Sequence, residues 1–479
     1  MLETINPTTG QALPPSPSLS LEQAHATIDK VANGFAEWKT KSFAKRTAVL
    51  KAVAASLRDN QNELANLMAL EIGKPIKEGL AEVEKSAWCA DYYAEHGAKF
   101  LAPESLESDA SHSYVQYSPL GTVLGILPWN APVWLALRFL APALMAGNTC
   151  VLKADPNVPA TANKLVECFY QAGVPENAVA NLAVPNSVAS KMIDHPKVKA
   201  VSFTGSSKAG QFIASQAAAG LKPDVLELGG YDPCILMADA DLEKALDIIT
   251  LSRVINAGQS CIAVKRLFVE KSIYNEVCEA LRERFSKLKC GDPRDETNNL
   301  GPLAREDLRD QLHRQVSQSI DAGARCLTGG DLPSRSGFFY PPTLLVDVKP
   351  GMTVFEEETF GPVLSVTPIE TIDQALELAN DTEYGLGASI WTSNQATIDR
   401  AIKTLESGQI AVNGIVKSDP RLPSGGIGKS GYGRALAPPG IRGFFHVQHI
   451  LFALALMSPN LNKHPHPLRA PVRYLSLLP

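Results

Sequence analysis

The chain lacks the patterns of several protein classes. None of its eight cysteines forms a C-x-x-C pair, which argues against a zinc site or a disulfide framework and predicts that most are small buried hydrophobic residues. Basic residues are also in deficit, since 45 Lys and Arg stand against 50 Asp and Glu, a net charge of −5. With no positive surplus for a phosphate backbone, nucleic acid is not expected as a main partner.

Long apolar runs are missing as well. The longest uniformly apolar run near the end, residues 450–457, has eight residues, whereas a membrane-spanning helix needs ~18. Residues 1–7 contain no basic region followed by an apolar stretch, so we expect no signal peptide. These absences predict a protein without a membrane partner and a cytoplasmic location.

Alternating patterns dominate what is present. Residues 21–70 have apolar residues at helical spacing, and from residue 114 short apolar runs bounded by Gly, Pro and Asn alternate with helical stretches. Such alternation is typical of βαβ units with a parallel sheet, whose carboxyl edge binds a dinucleotide. The predicted strands are 123–127, 149–152, 180–184 and 199–203, and the predicted helices are 160–172 and 187–194.

A second alternating block covers about residues 233–410. It predicts another α/β unit, with helices at 242–256 and 273–289 and strands near 266–269 and 388–391. The end of the chain, rich in Pro, His and Leu, follows neither pattern.

Four short segments suggest chemistry. Cys261 follows a helix and a Gly-containing turn, which allows either a nucleophile or, on this segment alone, more readily a buried structural cysteine. Glu227 lies between two leucines at the end of a predicted strand. It is either an edge-strand residue that faces water or a carboxylate in a mostly apolar site that acts as a base.

The other two segments are turns. Asn130 ends a strand in a Pro-bounded turn, where its amide either stabilises an oxyanion or belongs to an ordinary Asn turn. Residues 201–206 run from a strand into a predicted helix and offer backbone N–H groups and a hydroxyl to phosphates. This segment is neither a G-x-G-x-x-G motif nor a Walker loop, so alone it is weak support.

Together these segments resemble the aldehyde dehydrogenase superfamily. They occur in the family's order over residues 1–434, with three further matching segments at 151–153, 358–362 and 423–434. Among its members the chain looks most like the bacterial succinate-semialdehyde dehydrogenase branch. The resemblance implies an α/β fold with a Rossmann-like dinucleotide-binding domain, an α/β catalytic domain and a small β bridging element.

The resemblance also implies domain bounds and self-association into a homodimer or homotetramer. The tail departs from the family after Arg434, which puts the contact between subunits in doubt. The implied parts are a dinucleotide-binding domain of residues 1–112 and 126–230, a catalytic domain of 231–410, a bridging element of 113–125 and 411–450, and an atypical tail of 451–479.

The family's mechanism assigns three catalytic roles here. Cys261 would attack the aldehyde carbonyl, and the Asn130 amide with the Cys261 backbone N–H would hold the oxyanion of the thiohemiacetal. Hydride transfer to the nicotinamide would leave a thioester, which water activated by Glu227 would hydrolyse. No metal is implied.

The resemblance also implies which residues bind the cofactor and the substrate. The cofactor is NAD or NADP, with the choice open because Pro156 stands where NAD-preferring members often have Glu. For the substrate, Arg138 would bind the distal carboxylate of a short semialdehyde, and Ser418 is the second residue expected to bind substrate. The cofactor-binding residues implied are Lys153 at the adenosine ribose, Gly205 and Ser206 near the pyrophosphate, Glu358 at the nicotinamide ribose, and Trp129 and Phe360 beside it.

Two departures from the family concern proton transfer. Many members carry a Lys nine residues beyond the oxyanion Asn and a Glu after the terminal Gly-Arg, where this chain has Phe139 and Ala435.

Two alternatives to a semialdehyde dehydrogenase remain, a broad-specificity aliphatic or aromatic aldehyde dehydrogenase and a non-catalytic structural relative. Retention of Cys261, Glu227 and Asn130 together argues against the second.

Overall fold

The computed structural model describes residues 1–452. Short 3-10 helices at Asn186–Val188, Ile255–Gly258 and Lys271–Ile273 supplement its α-helices. The α-helices are α1 (Leu21–Trp38), α2 (Phe43–Asp59), α3 (Gln61–Ile72), α4 (Ile76–Phe100), α5 (Pro132–Ala146), α6 (Pro159–Gln171), α7 (Ala189–Ile193), α8 (Ser207–Ala219), α9 (Leu242–Val254), α10 (Tyr274–Ser286), α11 (Glu306–Asp321), α12 (Thr353–Glu356), α13 (Ile372–Asn380), α14 (Gln395–Thr404) and α15 (Ala437–Arg442).

The strands of the described residues form two large sheets and three small ones. They are β1 (Ile5–Asn6), β2 (Gln11–Ala12), β3 (Glu104–Ser105), β4 (His112–Pro119), β5 (Thr122–Leu127), β6 (Thr149–Ala154), β7 (Val179–Asn181), β8 (Val198–Thr204), β9 (Asp224–Glu227), β10 (Pro233–Leu236), β11 (Arg266–Glu270), β12 (Arg325–Thr328), β13 (Thr343–Val346), β14 (Val363–Ile369), β15 (Tyr384–Gly385), β16 (Gly387–Trp391), β17 (Gln409–Val412), β18 (Ile427–Gly428), β19 (Gly431–Tyr432) and β20 (Phe445–Phe452).

The six-stranded sheet has the order β19-β9-β8-β5-β6-β7. Its pairs are parallel except for β9 with β19. All residues of β5 are buried, as expected for a central strand of a parallel sheet covered on both faces. The carboxyl ends of β5, β6, β8 and β9 therefore meet at one edge, and Lys153, Thr204 and Glu227 lie there.

The seven-stranded sheet has the order β12-β13-β14-β11-β10-β16-β17, with only β12 and β13 antiparallel. Alternate residues of its strands pack into two different cores. Ile235 and Phe268 belong to one core, while Leu236 and Leu267 belong to the other. This alternation places apolar layers on both faces of the sheet, which follows from the two-residue period of a strand.

Contacts divide the chain into two compact units. The larger unit comprises Met1–Leu101 and Ser118–His446 and contains both large sheets. Of the described residues, the smaller unit comprises Ala102–Tyr117 and Val447–Phe452, with a sheet of order β20-β4-β3. These bounds differ from the expected bridging element, because residues 122–125 lie in β5 of the six-stranded sheet and 411–412 lie in β17.

Most predicted elements are confirmed with small shifts, and the α/β fold class is confirmed. Strand 180–184 is shorter, as β7 ends at Asn181, and helix 242–256 ends earlier, as α9 ends at Val254. The predicted tail 451–479 lies outside the described residues beyond Phe452.

Among residues 1–452, no helix combines the length and the apolar character needed to cross a membrane.

Candidate active site

The segment that carries Cys261 has an unusual backbone. Just beyond α9 and Ile255, Asn256 and Ala257 adopt left-handed conformations with φ of 53° and 51°, and Gly258 follows with φ of 75°. Non-glycine residues adopt this region at a cost of about 1–3 kcal/mol, so surrounding contacts must hold it. The buried Arg253 guanidinium does so, since it donates to the Val264 carbonyl at 3.1 Å and to the Gly258 carbonyl.

Charged groups surround the Cys261 thiol. Burial raises the pKa of Cys261 to about 11, and the positive charges of Lys265 and Arg138 act in the opposite direction. The carboxylates of Glu227 and Asp232 add to the upward shift. A thiolate is the nucleophilic form of cysteine, so reactivity at neutral pH depends on the balance of these four neighbours.

The Asn130 amide lies against the Cys261 loop. Its Nδ2 donates to the Gln259 carbonyl at 3.1 Å. Its own backbone carbonyl accepts from Asn256 Nδ2 at 2.8 Å and from Lys74 Nζ at 2.8 Å. These bonds hold the amide donor beside the loop that ends at Cys261, the arrangement that an oxyanion site needs.

A buried ion pair that the sequence did not predict holds the backbone around Asn130 in place. Lys74 pairs with Glu82 on α4. Glu82 Oε1 also accepts from the backbone N–H groups of Val133 and Trp134 at 2.9 and 3.1 Å. The first turn of α5 has no side-chain cap from its own N-cap residue, so Glu82 acts as the cap from another helix. The Glu82 side chain was detectable only as a charged residue on an amphipathic helix.

Glu227 is buried at the end of β9, so the interpretation as a water-facing edge residue is wrong. The expectation of a mostly apolar site also fails, because Glu227 Oε2 lies 2.5 Å from Arg138 Nη2. Arg138 further donates to Thr204 Oγ1 at 3.1 Å. The other carboxylate oxygen, Oε1, is buried without a hydrogen-bond partner among the described residues.

A small cavity of about 20 Å³ adjoins Glu227. Phe139, Arg434 and Ala435 are among the residues that line it, so both departures from the family's proton-transfer pattern face the same space as the carboxylate. The Phe139 ring packs edge-on against Phe444 at 6.1 Å. A cavity of this size has room for about one water molecule.

The residues expected to bind the cofactor fit a dinucleotide. Lys153, at the end of β6, is buried, and burial lowers its pKa to about 8. Its ammonium donates to Asn186 Oδ1 and has no carboxylate within ion-pair distance in residues 1–452. A buried cation without an anionic partner is suited to a ligand with hydroxyl or phosphate oxygens. Ser206 caps the N-terminus of α8, and Gly205 lies just before it.

The expected nicotinamide side of the site contains three residues. The Trp129 and Phe360 rings contact each other edge-on at 5.9 Å between centroids. Glu358 Oε1 accepts from the Gly230 backbone N–H at 3.3 Å and lies 3.3 Å from Lys265 Nζ. Lys265 has no signal in the sequence beyond being a basic residue four positions after Cys261.

The two residues expected to bind the substrate are in different settings. Arg138 is buried on α5 and paired with Glu227, so its guanidinium is already engaged in this structure. Ser418 is partly exposed in the loop between β17 and β18. Residues 1–452 contain no group of three or more His, Cys, Asp or Glu side chains arranged to hold a metal ion.

The chain is similar to known proteins over most of its length. The chain is 42% identical over 94% of its length to a probable succinate-semialdehyde dehydrogenase [NADP(+)] of Synechocystis, of which it covers 100%. It is 41% identical over 93% of its length to the succinate semialdehyde dehydrogenase [NAD(P)+] of Escherichia coli, of which it covers 97%.

Solved structures are similar too. A succinic semialdehyde dehydrogenase of Streptococcus pyogenes in complex with NADP+ matches with a TM-score of 0.92 at 32% identity, covering 95% of this chain and 100% of that one. A lactaldehyde dehydrogenase of Escherichia coli matches with a TM-score of 0.90 at 34% identity, covering 94% of each chain. Residues 1–450 match the sequence model of the aldehyde dehydrogenase family, and with these relatives the match shows that the chain belongs to that family.

Proposed function

We propose that this chain oxidises succinate semialdehyde, a short aldehyde with a distal carboxylate, to the dicarboxylic acid with NAD or NADP. One observation carries the proposal. The Asn130 amide is bonded to the Cys261 loop, while the charges of Glu227 and Arg138 act on the Cys261 thiol. A nucleophile, an oxyanion donor and a base thus meet from three separate segments.

The residues divide the reaction into two halves. Cys261 Sγ bonds to the aldehyde carbon, and Asn130 Nδ2 with the Cys261 backbone N–H stabilises the oxyanion of the thiohemiacetal. A bound nicotinamide supplies the hydride acceptor that makes the thiohemiacetal a thioester. Glu227 then takes a proton from the attacking water, whose oxygen bonds to the acyl carbon, and the acid leaves as Cys261 regains its thiol.

Six residues are proposed to hold the cofactor. Lys153 binds ribose hydroxyls at the end of β6, and the N-terminus of α8 with Gly205 and Ser206 binds the pyrophosphate. Glu358 accepts from the hydroxyls of the nicotinamide ribose, and Trp129 and Phe360 pack beside the ring. Relatives that are named for NADP(+) and for NAD(P)+ support both cofactors.

Arg138 is proposed to bind the distal carboxylate of the substrate, and Ser418 is proposed as a second substrate-binding residue. A guanidinium suits a carboxylate because it offers parallel N–H donors. The ion pair of Arg138 with Glu227 favours a second candidate function, oxidation of uncharged aldehydes, in which Arg138 only positions the base. The similarity to a lactaldehyde dehydrogenase is in line with this alternative.

Self-association and location are also proposals. The sheet β20-β4-β3 carries exposed apolar side chains on β20, namely Val447, Leu451 and Phe452. Because an exposed strand of this kind pairs readily with another chain, we propose that this unit joins subunits into a homo-oligomer. A cytoplasmic location is proposed from the composition alone, and size-exclusion chromatography with light scattering tests the oligomeric state.

A panel of aldehydes tests the proposed activity. Purified protein is assayed for NADH or NADPH formation with succinate semialdehyde, butanal, lactaldehyde and benzaldehyde, with each cofactor in turn. We expect the highest kcat/KM for succinate semialdehyde. Equal values for butanal would favour the second candidate function, and no reduced cofactor with any aldehyde would favour the non-catalytic relative.

A further inference from the structure

Lys265 joins the nucleophile to the proposed cofactor site. Its side chain is fully buried. The ammonium donates to the Cys261 backbone carbonyl at 2.6 Å and lies 3.3 Å from Glu358 Oε1. One buried cation therefore contacts both the residue that attacks the substrate and the carboxylate proposed to hold the nicotinamide ribose.

The backbone around Lys265 keeps it in this place. Its N–H donates to the Asp232 carbonyl at 3.1 Å, and its own carbonyl accepts from Ser365 Oγ at 3.0 Å. The neighbouring Gly230 has no room for a side chain, since a Cβ there would lie 2.7 Å from the Cys261 carbonyl oxygen. The Lys265 backbone is thus bonded to Asp232, which directly precedes β10, and to Ser365 on β14, and these bonds fix the point from which its side chain extends.

The charges on both sides set what Lys265 can do. Facing Cys261 are Lys265, Arg138, Glu227 and Asp232. Glu358 and Asp232 face Lys265, and the buried Arg253 also acts electrostatically on Glu358. Of the charges that act on the Cys261 thiol, Lys265 does most to counter the rise in pKa that burial causes, and in a poorly solvated site this effect depends strongly on how far Glu358 neutralises the ammonium.

We propose that Lys265 is a positioning residue through which cofactor binding activates Cys261. In the free enzyme Glu358 neutralises part of the ammonium charge. When the Glu358 carboxylate accepts hydrogen bonds from the ribose, it withdraws part of its charge from Lys265, and the ammonium then stabilises the Cys261 thiolate more strongly. The thiol loses its proton to solvent and no bond to the cofactor forms. This inference rests on the proposed role of Glu358.

The test follows the thiolate directly. Cys261, Cys290 and Cys326 are the partly exposed cysteines of the described chain, so a Cys290→Ser, Cys326→Ser background leaves Cys261 as the main target of iodoacetamide. The alkylation rate is measured from neutral to alkaline pH without cofactor and with saturating NAD+ or NADP+. We expect each cofactor that binds to raise the rate at neutral pH about tenfold, which corresponds to lowering the thiol pKa by about one unit.

Four variants distinguish this role from a merely structural one. Lys265→Met is expected to slow alkylation and to remove the response to cofactor, whereas Lys265→Arg, which keeps the charge, is expected to restore part of the response. Glu358→Gln is expected to speed alkylation in the free enzyme. The double variant Lys265→Met, Glu358→Gln is expected to have the same alkylation rate as Lys265→Met, because the two changes act through one interaction.

Each outcome decides the matter. If Glu358→Gln leaves the free enzyme's alkylation rate unchanged, the inference is overturned even where Lys265→Met does not fold. A cofactor response of wild-type size in Lys265→Met also overturns it, while the proposed function stands as long as aldehyde oxidation persists. If neither NAD+ nor NADP+ binds the wild-type protein in calorimetry, the proposed function fails and the inference fails with it.

Discussion

Two carboxylate–cation pairs lie on either side of Cys261, and they differ in what they hold. The base-side pair, Arg138 with Glu227, is buried at both ends, with side chains 5% and 6% exposed. In the cofactor-side pair the Lys265 side chain is fully buried, at 0% exposed, whereas the Glu358 side chain is 18% exposed. The comparison indicates that Glu227, the proposed base, is held inside the protein, whereas Glu358 remains accessible to a ligand.

The same contrast appears in the second contacts of the two cations. Arg138 donates to the Thr204 hydroxyl, a side chain at the end of β8, while Lys265 donates to the Cys261 backbone itself. Loss of Arg138 therefore changes the surroundings of the base, and loss of Lys265 changes the nucleophile. Substitutions on each side should affect different steps of the reaction.

Loss of the Cys261 thiol, which has the two ion pairs on either side, should reduce aldehyde oxidation more than any other substitution. Cys261→Ala is expected to abolish aldehyde oxidation, because only the thiol forms the covalent intermediate. Cofactor affinity, measured by calorimetry, should stay close to that of the wild type, since Lys153 and Glu358 are untouched. Residual turnover within about tenfold of the wild type would contradict a nucleophilic role.

Replacing the Glu227 carboxylate by an amide should slow thioester hydrolysis but not the formation of the thioester. Glu227→Gln is expected to give a burst of about one equivalent of reduced cofactor per active site and then slow turnover, because thioester formation precedes the step that needs a base. Stopped-flow absorbance measures the burst. Loss of the burst itself would show that Glu227 acts before hydrolysis, and Cys261→Ala serves as the control without a burst.

Removing the base-side cation separates its two proposed roles. Arg138→Ala is expected to lower kcat/KM for succinate semialdehyde about 10- to 100-fold, as the loss of a charged hydrogen bond predicts, and to lower it less for butanal. It also leaves Glu227 buried without its partner, at a cost of about 3–5 kcal/mol in stability. An equal loss for both aldehydes would contradict carboxylate recognition and leave only the positioning role.

Thr204→Val is the matched control for that experiment. It removes the hydroxyl that accepts from Arg138 but keeps the ion pair with Glu227. We expect a much smaller change in kcat/KM and in Tm than with Arg138→Ala. A comparable change would mean that the Thr204 contact, rather than the ion pair, sets the position of the guanidinium.

The smallest effect on activity is expected from substitutions in the cavity beside Glu227. In Phe139→Lys, Ala435→Glu the cavity beside Glu227 gains a cation and a carboxylate, which offer a proton path where the wild type relies on exchange with water. We expect a severalfold rise in kcat and a weaker pH dependence of hydrolysis, with the burst rate unchanged. Phe139→Lys alone should lower Tm, because it leaves a buried unpaired charge.

If the double variant keeps the wild-type kcat while hydride transfer stays much faster than turnover, proton exchange through the cavity is not limiting. Direct exchange of the Glu227 proton with water would then be fast enough to support turnover.

The amino-acid sequence by itself determined the α/β fold, the catalytic candidates and most strands. The central strands were found because residues such as those of β5 are apolar without interruption, a pattern that a covered parallel sheet requires. Cys261, Glu227 and Asn130 were found because their local segments occur together in one order. Local residue type and spacing were enough for the strands, whereas the catalytic candidates came from the resemblance of these segments to the aldehyde dehydrogenase family.

Only the tertiary structure decided which charges face one another. Arg138 and Glu227 are far apart in the sequence, as are Glu82 and the start of α5, and nothing in the local pattern of either segment indicates its partner. Burial of a charge costs free energy unless a partner is near, so these pairs arise from packing of the whole chain. The left-handed turn at Asn256 was not predicted either, although its partner is close in the sequence, because the pattern of residue types does not show that the Arg253 side chain bonds to the Gly258 carbonyl.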